Sequence, residues 1–131
     1  MKPVVLAPSR LEQIADALGW TGAVTDGVRL VDTDVAAVVS GSELTGLMVP
    51  IRGSWRRALS IARPCLALAP TALLHTGPEA PSELCLLECG YAEIGLVADA
   101  RVAVPPRAKR PASSRAVDRA LAEQLTAQLA R

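Results

Sequence analysis

The chain has 131 residues, the size of one domain, and balances fourteen Lys and Arg against thirteen Asp and Glu for a net charge of +1. Half of it is hydrophobic, yet only 2% is aromatic and Phe is absent, so the core must be aliphatic; this argues for sheet-plus-helix layers and against an aromatic platform for single-stranded bases. No stretch approaches the roughly 20 apolar residues of a membrane span. Met1 to Pro8 is too short and too weakly charged for a secretory signal, and three cysteines without such a signal predict free thiols in a reducing cytoplasm.

The first marked element is a helix over 9–18. Ser9 and Glu12 have capping-box spacing, Leu11, Ile14, Ala15 and Leu18 repeat on one face, and Gly19 supplies a stop. Asp26-Gly27, flanked by Ala23-Val24-Thr25 and Val28 to Val31, predicts a two-residue hairpin turn. Val35 to Val39 lacks polar alternation and predicts a strand buried on both faces. Ser40-Gly41-Ser42 turns the chain into a strand from Leu44 to Ile51, where Pro50 removes a ladder donor and predicts an edge or a bulge.

Ser54 caps a second helix with Trp55, Leu59 and Ala62 on one face and Arg56, Ser60 and Arg63 on the other; Pro64 ends or kinks it. Thr71 to Thr76 reads as a buried strand. A helix opens at Pro81-Ser82 and is expected to close at Gly90, before strands at Ile94 to Ala98 and Val102 to Val104. These elements predict an α/β domain over 1–104 with a mixed sheet flanked by helices. Residues 105–113, Pro-rich and basic, predict a linker. Val117, Leu121, Leu125 and Leu129 give 114–131 the one-sided stripe of an amphipathic helix, which must dock on the domain or on another subunit.

Charge is segregated along the chain. Residues 1–100 hold seven basic and eleven acidic side chains, and 101–131 hold seven basic and two acidic. Residues 44–78 contain Arg52, Arg56, Arg57 and Arg63 without an acid, whereas 79–99 contain five acids without a base. Such a pattern suits a polyanion-facing side and equally suits an ordinary solvated surface.

The order helix, three strands, helix, strand is that of the PD-(D/E)xK nuclease core, and the local sequence resembles it. Val31-Asp32-Thr33-Asp34-Val35-Ala36-Ala37-Val38 is similar to the strand that carries the family's first metal-binding Asp. Ser42-Glu43-Leu44 resembles the hairpin before its E-x-K strand, and Val49 to Trp55 resembles that strand with both key residues altered. Ala92 to Ala98 resembles the closing strand of bacterial members linked to DNA repair. The resemblance spans about 9–110 and implies a restriction-endonuclease-like αβββαβ fold. It sets Asp34 at the metal-binding position, Pro50 where a second carboxylate belongs and Arg52 where the Lys belongs.

In an active member the carboxylates hold Mg²⁺, which polarises the scissile phosphate and activates water. Pro50 offers no side-chain oxygen, and an Arg does not readily surrender a proton. The resemblance therefore implies a degenerate nuclease, without a cofactor, in a DNA-binding or DNA-processing accessory role. Arg56 and Arg57 on a helix with Arg107, Lys109 and Arg110 on an arm would supply phosphate contacts. One alternative is an adaptor, acting on a protein partner or as a homodimer through Val117, Leu121, Leu125 and Leu129. Another is an active Mg²⁺-dependent nuclease with Glu12, Asp32 or Asp34, and Glu43 as relocated ligands. Cys65, Cys85, Cys89 and His75 could be zinc ligands, but the spacing of Cys85 and Cys89 amid leucines fits buried thiols better. Ser54 and Ser60 lack a nucleophile elbow, and Gly19-x-x-Gly22 lacks the strand-then-helix setting of a phosphate loop.

Overall fold

A computed structural model describes residues 8–30, 33–107 and Ala127. Helix α1 (Pro8–Ala17) presents Leu11, Ile14 and Ala15 to the core. It closes at Gly19, whose φ of 77° lets its N–H reach Asp16 at 3.0 Å while the Trp20 N–H reaches Ala15 at 2.9 Å; these are the paired bonds of a Schellman cap. Pro8 takes an opening helical position, where its missing N–H costs nothing, and Ser9 falls inside the helix.

Strands β1 (Ala23–Leu30), β2 (Thr33–Ser40) and β3 (Glu43–Pro50) form an antiparallel meander. Asp26-Gly27 does not turn the chain. Thr25 opposes Ala37 and Val28 opposes Val35, so β1 carries one extra residue, a β-bulge. Gly27 supplies the positive φ of 69°, and its N–H donates to Asp26 Oδ1 at 2.8 Å. Both the expected turn and the observed bulge use that backbone freedom; continuous pairing with β2 selects the bulge. Val35 to Val38 are buried in succession, as expected of a strand covered on both faces.

Helix α2 (Trp55–Cys65) starts at Ser54, whose Oγ accepts from the Arg57 N–H at 3.4 Å, and includes Pro64 in its last turn. It leads to β4 (Thr71–His75), parallel to β3. Helix α3 (Glu83–Ala92) starts at Ser82 and leads to β5 (Gly95–Ala98), parallel to β4. Gly90 does not close α3. The helix continues to Ala92, which packs on the core, and Glu93 takes the left-handed cap with φ 61°. Strand β6 (Arg101–Val104) pairs antiparallel with β5. Ala98 opposes Arg101, and Asp99 and Ala100 have φ of 52° and 59°, as a two-residue I′ hairpin requires.

Among the described residues the result is a six-stranded mixed sheet in the order β1-β2-β3-β4-β5-β6. Helix α1 with Trp20 covers one face, over Val38, Met48, Leu74 and Val97. Helices α2 and α3 cover the other, over Leu47, Val49, Leu73 and Leu96. The mixed α/β architecture agrees with the sequence expectation. Pro50 ends a central strand instead of lying on an edge, and as the last residue of β3 its missing N–H interrupts nothing beyond it. No helix among the described residues is long and apolar enough to cross a membrane.

Candidate functional site

Directly opposed residues of an antiparallel pair share a face of the sheet. Arg29 opposes Asp34. The pairing of β2 with β3 runs from Ser40–Glu43 to Ala36–Met48, so Asp34 and Pro50 each lie two residues beyond its last pair. Pro50 is level with Leu74, and Leu74 with Val97. A row of Pro50, Leu74 and Val97 thus crosses β3 to β5, with the Arg29–Asp34 pair on β1 and β2 at the same end of the sheet. It lies on the α1 face, because Leu74 and Val97 pack beneath that helix. It also lies at the end of the sheet where parallel β3, β4 and β5 terminate, the end at which α/β folds gather ligand-binding loops.

Arg52 follows two residues after Pro50. The Asp34 carboxylate faces the Arg29 guanidinium at 3.7 Å, with 41% and 60% of the two side chains exposed. An ion pair so open to water contributes little stability. Arg52 is exposed just past the end of β3. Glu43 opposes Ser40 at the far end of β3, seven residues from Pro50, which is about 23 Å of strand. Glu12 is exposed on α1. Among the described residues no three His, Cys, Asp or Glu side chains come together as a metal site. Asp32 lies outside the described residues, and among those described the Asp34 carboxylate faces the Arg29 guanidinium.

Next along the same face is a cleft of about 170 Å³ at the ends of β4 and β5. Ile14, Leu74 and Val97 line it together with the polar side chains of Arg10, His75 and Asp99. Arg10 Nη2 lies 3.4 Å from Asp99 Oδ1. His75 Nε2 lies 2.6 Å from the Glu79 carbonyl; a carbonyl only accepts, so Nε2 is the donor in this bond. Sequence reading missed this cleft because its walls come from three distant segments. The one local signal was Asp99-Ala100, a short polar–small pair between two strands.

No family model, curated protein or solved structure matches this chain. The remaining site residues divide between the two ends of the sheet. Arg56 and Arg57 are exposed on the first turn of α2, directly after the end of β3, and the Arg56 guanidinium lies 4.8 Å from the Trp55 ring centre. Arg107 is elsewhere. Its N–H donates to the Glu93 carbonyl at 3.2 Å and its guanidinium pairs with the Glu93 carboxylate, at the opposite end of the sheet. Arg107, expected on the linker with Lys109 and Arg110, pairs with Glu93 there, and Pro106 packs on Gly95. Lys109, Arg110, Val117, Leu121, Leu125 and Leu129 lie outside the described residues.

Cys65, Cys85 and Cys89 are buried free thiols, as the leucine-rich spacing suggested. Burial pushes the Cys65 and Cys89 thiols up to about 12, and for Cys89 the neighbouring Cys85 and Glu88 add to the effect. Cys85 is raised for the same first reason, desolvation. Thiols held in the protonated form are poor nucleophiles and poor metal ligands.

Proposed function

We propose that this chain is a catalytically degenerate PD-(D/E)xK-like domain that binds the phosphate backbone of DNA without hydrolysing it. The observation that carries the reading is what gathers at one end of the sheet. In the element order αβββαβ, Asp34 paired with Arg29, the last residue of β3, Pro50, which has no oxygen to give, and Arg52, Arg56 and Arg57 all lie at that end. Magnesium is the ion that such a core would hold in an active relative. Here the acid is opposed by Arg29 instead, so the site offers positive charge to a phosphodiester and no metal-bound water to cleave it. Arginine suits that task, because its planar fork matches phosphate oxygens. Contacts of this kind position a duplex and read no bases.

The test is the salt dependence of binding to a labelled duplex, followed by fluorescence anisotropy. Binding should weaken steeply with salt as counterions are released, and Arg52→Ala and Arg56→Ala should each reduce the slope by about 0.9 in log units. Arg107→Ala should leave the slope unchanged, because that side chain is held at the other end of the sheet. Binding that is absent, or that Arg52→Ala and Arg56→Ala do not weaken, would end the proposal. Cleavage that requires Mg²⁺ or Mn²⁺ and disappears in Asp34→Ala would replace it with an active nuclease.

A further inference from the structure

Helix α3 is apolar on two sides. Cys85 and Cys89 face the core, while Leu84, Leu87 and Tyr91 are 46%, 60% and 88% exposed. Their spacing, i, i+3 and i+7, aligns them as one stripe on the outward side of the helix. Glu83 and Glu88 flank it, and residues 79–93 carry four acids and no base. A helix that is apolar on all sides is ordinarily covered on all sides.

The path of the chain indicates what covers it. Past β6 the backbone returns to α3: Arg107 donates its N–H to Glu93 and pairs with the Glu93 carboxylate, two residues beyond Tyr91. Residues 108–131 therefore depart from the C-terminal end of α3. Residues 108–113 can span about 20 Å when extended, and the ten residues of α3 are about 15 Å long. Everything from Ser114 onward is within reach of the stripe. That segment carries Val117, Leu121, Leu125 and Leu129 at helical spacing, and residues 108–131 hold five basic and two acidic side chains. Its apolar stripe matches Leu84, Leu87 and Tyr91, and its charge opposes the acidic flanks. A second apolar groove lies on the other side of the chain exit, between Leu18, Trp20, Pro105 and Pro106, but no acid lines it.

We infer that residues 114–130 dock as an amphipathic helix on the Leu84–Leu87–Tyr91 face of α3 within the same chain. The stripe is then an intramolecular seat, closed by apolar contact and favoured by the basic charge of the segment opposite Glu83 and Glu88. Hydrogen exchange on the full chain tests this. Amides of 114–130 should exchange at least about tenfold more slowly than an unstructured segment, equally at low and high protein concentration. Both the Leu84→Glu/Leu87→Glu variant and the Leu121→Glu/Leu125→Glu variant should abolish that protection. The second variant lies outside the described domain and leaves the sheet intact, so the test survives if the first disturbs α3. Three outcomes would overturn the inference: no protection in 114–130, protection unchanged in both variants, or protection that grows with concentration alongside a dimer in sedimentation, which would give the stripe to a second copy.

Discussion

The two faces of the sheet are built from the same strands and differ in how completely they are covered. On one face α2 and α3 lie side by side over Leu47, Leu73 and Leu96 and close an aliphatic layer that includes all three thiols. On the other, α1 is the one described helix over six strands. A helix is about 10–12 Å wide, whereas six strands at about 4.8 Å spacing extend roughly 24 Å. The uncovered remainder of that face is where Arg29 and Asp34 face each other and where the cleft of Arg10, His75 and Asp99 opens. Polar side chains thus gather on the part of that face that α1 does not reach.

Adjacent leucines on β4 test that asymmetry most sharply. Leu73 points beneath α2 and α3 and is 0% exposed; Leu74 points beneath α1, lines the cleft and is 3% exposed. Leu73→Ala leaves a closed cavity and should cost about 3–5 kcal/mol in urea unfolding. Leu74→Ala opens into the neighbouring cleft, which water can enter, and should cost about 2–3 kcal/mol. Equal costs, or the reverse order, would mean that the α1 face is as closed as the other.

The next effect concerns what holds the α1 face together. Trp20 lies flat on Gly46: a Cβ at that position would stand 2.3 Å from the indole ring. Trp20 is 7% exposed and sits in the core cluster with Met48. Gly46→Ala should therefore displace the ring and cost about 1–3 kcal/mol, with a shift in tryptophan emission. Unchanged stability and emission would show that Trp20 does not anchor this face.

Much of this architecture was legible from residue order. The i, i+3, i+4, i+7 pattern of α1, the caps at Ser54 and Ser82, and the unbroken apolar run at Val35 to Val38 each signal structure through local rules, and each element formed. The misreadings have a common cause. Asp26-Gly27 and Gly90 were read as local punctuation, yet whether a glycine turns a chain, bulges a strand or sits within a helix depends on partners distant in sequence. Composition reads Arg107 as part of a linker and carries no signal of its contact with Glu93, fourteen residues earlier. The pairing of Arg29 with Asp34 and the cleft of Arg10, His75 and Asp99 have no local signal, since register and loop closure are tertiary facts.

The thiols set a third difference between the faces, in their response to alkali. Cys65 and Cys89 have folded values near 12 against 9.0 for an ordinary thiol. Their folded-state protons are retained after the unfolded chain has lost its own. Stability is then fully present below about pH 9 and falls as pH rises from 9 towards 12. Urea midpoints at pH 8 and 10 measure this, and Cys65→Ala should halve the slope from these two thiols. A midpoint independent of pH over that range would place the thiols in contact with water.

The smallest effect belongs to the hairpin that edges the cleft. Asp99 and Ala100 both adopt left-handed backbone, with φ of 52° and 59°. Asp tolerates that region because its short polar side chain bonds locally; Ala has no such compensation, and its Cβ costs about 1–2 kcal/mol there. Ala100→Gly removes the clash but adds about 0.4–1 kcal/mol of unfolded-state entropy and loses a half-buried methyl that packs beneath α1. The balance should be a gain of about 0.5 kcal/mol, seen as a slightly raised melting temperature. Asp99→Gly should gain less or lose, since it gives up the Arg10 contact and relieves less strain. A larger gain at Asp99 than at Ala100 would mean that the strain of this turn is stored on the side of the cleft that holds the charges, making Asp99 the residue whose position the turn exists to fix.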